Sequence, residues 1–220
     1  LYGSACDARW HECGHATAFR ARWPNTAVYH LASFMAMREP VSWRWSHTRH
    51  HTDTIIVGRD PEIAAPRPPS LLAIALSAVG LKNAPRYFHG VMVHCLGRLR
   101  PDEATYIPDT EHPKVFRNAR IHLLIYVAVI SLALTQRSFL PLMYVGLPSL
   151  YGAWLMLVYG FTQHAGLAED VLDHRLNCRT VYMSRLSRYL YWEMNYHVEH
   201  HMFPMVPYHA LAKLHEELKA

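Results

Sequence analysis

The chain has 220 residues, 51% hydrophobic and 18% charged, with a formal net charge of +5. That suits one domain with a sizeable core, and the scattered basic residues exclude a nucleic-acid-binding stripe. Four cysteines with no C-x-x-C pair exclude a disulfide framework and read as reduced thiols, while 17 histidines stand out as the anomaly.

Residues 1 to 62, rich in His, Arg and Trp, read as helices broken near Pro24 and Pro40. "HECGH" brings His11 and His15, and "WRWSHTRHHTDT" brings His47, His50 and His51. The chain opens on Leu1 with a motif close behind, so we expect one domain over 1–220 that is an N-terminally truncated fragment. "APRPPS", 65 to 70, is a breaker. "LLAIALSAVGL", 71 to 81, is apolar but too short to span a bilayer, and reads as an interfacial or re-entrant helix. A polar, basic stretch then runs to Arg120.

Next come two uncharged runs, "IHLLIYVAVISLALT" at 121–135 and "FLPLMYVGLPSLYGAWLMLVYGF" at 139–161. With only a short polar tip between them they predict a transmembrane hairpin over about 121–161. Of 22 Lys and Arg, eight fall in 1–70, seven in 82–120, six after 163 and only Arg137 at the tip. Positive-inside counting puts both flanks, and every histidine cluster, on the cytoplasmic side. The third cluster, His197, His200 and His201 in "NYHVEHHMFP", follows the hairpin.

H-E-x-x-H alone suggests a zinc peptidase with Glu12 as general base. Spacings of three and four put each histidine set on one helix face. Eight imidazoles exceed one tetrahedral zinc and suit two metal ions, of a kind that imidazole alone leaves open among Zn, Cu, Fe and Ni. Glu12 then reads as a partner for the far nitrogen of a ligand ring, or as an exposed carboxylate. Asp53, Asp60, Glu62, Glu199 and Asp170 are further candidates for that orienting role. His30, His89, His94, His112, His122, His174, His209 and His215 lack the spacing and stay outside the site. A non-catalytic metal-binding membrane protein is the third class.

The order H-x-x-x-H, H-x-x-H-H, H-x-x-H-H, with an apolar hairpin between the second and third boxes, resembles the membrane fatty acid desaturase and hydroxylase superfamily over residues 7 to 215. The resemblance implies an all-α integral membrane protein whose cytoplasmic histidine-rich cap holds two non-haem irons that use O2 against unactivated C–H bonds. By motif His11, His15, His47, His50, His51, His197, His200 and His201 are the implied ligands. His164 in "FTQHAG" is a ninth, as in acyl desaturases. The implied activity is desaturation of an acyl lipid; the alternative is hydroxylation of a hydrocarbon, carotenoid or small catabolic substrate. Such proteins usually carry another transmembrane pair before the first box, which also suggests a fragment.

Oxidising a methylene needs a redox metal with O2, since no side chain is a strong enough oxidant. The two electrons must come from outside, because the chain has no G-x-G-x-x-G and no iron–sulfur spacing. A separate ferredoxin, cytochrome or reductase is therefore expected, docking near Arg38, Arg44 and Arg49 or near Arg185 and Arg188.

Overall fold

A computed structural model describes residues 2–64 and 66–219, and among these the regular structure is helical, with no strand beyond an isolated bridge between Thr180 and Tyr196. Helix α1 (Tyr2–Gly14) packs along α2 (Arg22–Met35) through Cys6, Trp10, Cys13, Tyr29 and Ala32. The chain then turns into α3 (Pro40–Thr52). Pro40 sits in the first turn, where its missing N–H costs nothing, and the Glu39 carboxylate caps it by accepting the Ser42 amide at 2.6 Å. Tyr29 fixes the corner, its hydroxyl donating to the Pro40 carbonyl at 2.5 Å. These contacts set the angle at which α1 and α3 present their histidines to each other.

Beyond the breaker lie α4 (Leu71–Ala78) and α5 (Asn83–Cys95), then two short 3-10 turns and α6 (His112–Thr135). The described part of the breaker, 66–70, is irregular. The polar, basic stretch up to Arg120 contains α5 and the start of α6. Helix α5 meets α6 through Tyr87, Val91, Ala119 and Tyr126, with Met37 of the α2–α3 corner in the same cluster.

The hairpin needs correction. Its first arm exists: the helical stretch Asp109–Thr135 is long and apolar enough to cross a membrane, and only 28% of its apolar window is buried. Ile121, Leu124, Val127, Ile130 and Leu134 stay exposed. Its second arm is not one helix. It consists of α7 (Leu140–Tyr144), α8 (Pro148–Tyr151) and α9 (Trp154–His164). Gly146 takes φ +96°, a left-handed conformation that interrupts a right-handed helix, and Pro148 opens the next one. A Cβ on Gly146 would lie 3.3 Å from the Tyr126 ring, so the break also lets this segment approach α6 closely. Among the described residues only that one helix passes the length and apolarity test.

The chain closes with α10 (His174–Asn177), α11 (Arg185–Tyr191), α12 (His197–Met202) and α13 (Tyr208–Lys219). Ala8, Tyr159, Tyr191 and Met194 pack together and bring α1, α9 and α11 into one core. That places the third box against the first two.

Candidate metal centre

The three boxes and the end of α9 converge on two groups of rings. His11, His15, His47, His51 and His200 have ligand atoms that all lie within 4.8 Å of one another; so do His50, His164, His197 and His201. Each H-x-x-H-H box is divided between them. In α3 the pair four apart, His47 and His51, faces the first group, while His50 points to the second. In α12 His197 and His201 face the second group and His200 the first. Helix pitch explains the division: residues four apart nearly superimpose, and a neighbour lies about 100° around the axis.

Within the five-histidine group the Nε2 atoms make a chain, with His15 to His47 at 3.1 Å, His47 to His51 at 3.1 Å and His51 to His200 at 3.2 Å. In the four-histidine group Nε2 of His197 lies 2.9 Å from that of His164 and 3.1 Å from that of His201. Three of the far nitrogens are tied outward. His50 Nδ1 donates to Asp60 at 2.8 Å and His164 Nδ1 to the Asn177 carbonyl at 2.8 Å. Thr54 gives its hydroxyl proton to the His50 carbonyl, so its oxygen accepts from His201 Nδ1 at 3.2 Å. A ring that donates through Nδ1 turns the Nε2 lone pair inward when neutral. Three lone pairs therefore converge with His197, whose single Nε2 proton can answer only one of its two close neighbours. Both ring nitrogens of His11 are buried without a hydrogen-bond partner. Buried polar atoms rarely remain so. A cation at each focus satisfies these atoms, so the donor set fits a metal site.

Electrostatics agrees. Burial, followed by the mutual repulsion of the rings, holds His11, His47, His51, His197, His200 and His201 well below the ordinary imidazole range. It brings His15 to about 4 and His164 to about 3. Neutral imidazole is the metal-binding form. His50 differs: burial opposes its charge, but the bond to Asp60 overrides burial and raises it, while the same bond lowers Asp60. Asp60 thus favours added positive charge on that ring, from a proton or a metal ion alike.

Of the other carboxylates one orients a ligand ring and the rest lie elsewhere. Glu62 approaches His47 Nδ1 at 3.2 Å. Asp53 instead pairs with Arg49 at 2.5 Å and Arg59 at 2.9 Å. Asp170 accepts the Val57 amide at 2.8 Å, tying the loop after α3 to the loop after α9. Glu199 bonds Thr180 at 2.5 Å and His215, neither of them in a box. Glu12 is fully buried, yet its Oε1 accepts from the Thr17 hydroxyl at 2.6 Å and the Tyr208 amide at 3.0 Å. Through Oε1 it braces the start of α13, and it makes no hydrogen bond to a ligand ring.

Several functional-looking residues escaped the spacing rule. His94 bonds Glu103 at 2.7 Å in a fully buried pair, joined by Ser42 and Arg100. His174 lies beside His201, ring centroids 5.1 Å apart. The arginines expected to receive a partner are partly engaged internally: Arg38 bonds Asp7 and lies over the Trp10 and Trp43 rings, Arg44 covers Tyr29, and Arg188 bonds Glu193.

A family model described as fatty acid desaturase matches residues 2–220. Similar curated proteins include an omega-6 fatty acid desaturase, endoplasmic reticulum isozyme 1, of Glycine max, 27% identical over 91% of this chain and 58% of its own. A Delta(9) fatty acid conjugase-like enzyme of Dimorphotheca sinuata is 24% identical over 91% of this chain and 61% of its own. The Delta(5) fatty acid desaturase fat-4 of Caenorhabditis elegans is 23% identical over 91% and 51%. The chain thus spans roughly half to three-fifths of the length of these relatives. No solved structure matches it.

Proposed function

Because the chain belongs to the fatty acid desaturase family, we propose that it is a membrane-bound, O2-dependent oxidoreductase that removes a hydrogen pair from the acyl chain of a lipid. The observation carrying this reading is the pair of histidine groups, five rings and four, mostly buried and with ligand atoms in each group drawn to one focus. His11, His15, His47, His51 and His200 would hold one iron, and His50, His164, His197 and His201 the other. Two irons, with O2 and two external electrons, supply oxidising power that no side chain has.

The protein's own part is positional and electrostatic. Asp60, Asn177 and Thr54 hold the tautomers of three rings and fix their orientation. Burial favours the unprotonated form of every ring but His50, where Asp60 prevails. Helix α6 and the exposed apolar residues of α4, α7 and α9 would sit in or on the bilayer, with the histidine cap on the cytoplasmic side; the basic residues flanking the apolar region support that topology. A separate ferredoxin, cytochrome or reductase would bring electrons to the cap. Since Arg38 and Arg44 are engaged internally, the surface near Arg185 is the better candidate for its docking.

One observation favours hydroxylation as a second reading. A cavity of about 270 Å³ beside the second box is lined by Glu39, Ser42, Ser46, Glu103 and Arg100 as well as Met37 and Trp43. That lining is mixed, apolar as much as polar, and its polar side would take an oxygenated or polar-headed substrate. Product analysis by mass spectrometry in a host making the protein with a reductase separates the two. Loss of a hydrogen pair from a lipid acyl chain is expected; gain of an oxygen atom selects the hydroxylase. Metal analysis showing zinc alone, with no reductant-dependent O2 uptake, would overturn both.

A further inference from the structure

His174 and Cys178 belong to none of the three boxes, yet their ligand atoms and one of His201 all lie within 4.8 Å of one another. Cys178 and His201 are buried, whereas His174 is half-exposed. The two histidine groups differ in this respect. His15 and His51 give the five-histidine group half-exposed members, while all four members of the other group are buried. Among the described residues, His174 is the half-exposed member of the cluster that shares a ligand with that buried group.

We propose that His174, Cys178 and His201 form a transit site, where a divalent metal ion is held before it passes to His50, His164 and His197. This rests on reading the four-histidine group as a metal site. The local structure is built for such a link. The single turn of α10 sets His174 and Cys178 four residues apart around Asn177. The Asn177 side-chain oxygen meets His174 Nδ1 at 3.3 Å and accepts from the Cys178 thiol at 3.2 Å. The Asn177 carbonyl meanwhile accepts from His164 Nδ1 at 2.8 Å. One fully buried residue therefore positions both the outer pair and a ligand of the inner group.

Imidazole with thiolate suits borderline ions such as Zn²⁺, Fe²⁺ and Co²⁺. Capture releases the thiol proton to solvent and breaks the Cys178 bond to Asn177. On transfer the sulfur is reprotonated as the other histidines replace it, and no electron moves. His201 is common to both groups, so the ion exchanges ligands without leaving the protein.

The test uses full chain purified in detergent, stripped by a chelator and mixed with Co²⁺. A thiolate-to-cobalt absorption band is expected to rise and then fade as the histidine groups fill. Cys178→Ser should abolish the band. His174→Gln, a half-exposed position that leaves the core intact, should slow filling several-fold. Final cobalt per chain should be unchanged in both. Cobalt bound at wild-type rate in both variants, with no thiolate band at any time, overturns the transit site alone. A wild-type chain that binds no cobalt overturns it together with the metal reading.

Discussion

The two halves of this molecule invert the usual placement of side chains. Around α1, α3 and α12 the interior holds imidazoles and carboxylates, while along α4, α6 and α7 leucine, isoleucine and valine face outward. Each inversion has its own compensation. In the cap, buried polar atoms need partners, which hydrogen bonds provide in part and a cation at each focus would complete. Around α6, exposed apolar surface needs a nonaqueous solvent. The halves are joined by a polar seam: Asn118 of α6 donates to Glu39 at 3.0 Å, and Glu39 and Glu103 both bond Ser42 of α3.

The sharpest way to break the contrast is to remove a cap ligand. His197→Ala takes one of the four donors of its group, and metal analysis should show that group empty, with turnover lost. The seam comes next. Burial alone would raise Glu103, but His94, then Arg100 and Ser42, bring it down to about 2 from an ordinary 4.5. A carboxylate depressed on folding stabilises above its unfolded pKa and loses that contribution as pH falls. Glu103→Gln should therefore cost about 3 kcal/mol near neutrality, from the size of the shift. Melting curves in detergent should show wild type and variant converging from about pH 4.5 down toward about 2.

On the apolar side, Leu124→Arg places a charge at a two-thirds-exposed position of α6. If lipid covers α6, membrane insertion should weaken by about 2.5–3.5 kcal/mol, read by fractionation against Leu124→Ala. An unchanged partition would mean that protein, not lipid, covers that face. The smallest expected effect is Asp60→Asn, which leaves His50 in place but loosens it. Metal affinity should fall by about tenfold to a hundredfold with the helical content unchanged in circular dichroism.

Features set by local periodicity were legible in the sequence, and those set by long-range contact were not. The histidine boxes could be read because three- and four-residue spacings act within a single helix. The first apolar arm could be read because α6 is one unbroken run. The second arm misled because its lack of charge outweighed Gly146 and Pro148, which stood in plain view as breakers. Of the carboxylates near the boxes in sequence, Asp60 and Glu62 meet ligand rings and the others do not. Glu12 finds the Tyr208 amide, Glu199 finds His215 and Asp53 finds two arginines, contacts no spacing rule anticipates. The Asn177 carbonyl that orients His164 is backbone, so residue type carries no trace of it.

Because α3 and α12 each contribute to both histidine groups, the distance between the two foci is set by the pitch of rigid rods rather than by loops. Neither focus can drift without dragging the other. Inserting one residue between His47 and His50 would put the two ends of that box out of phase by about 100°. Local melting of either α3 or α12 would open both histidine groups together.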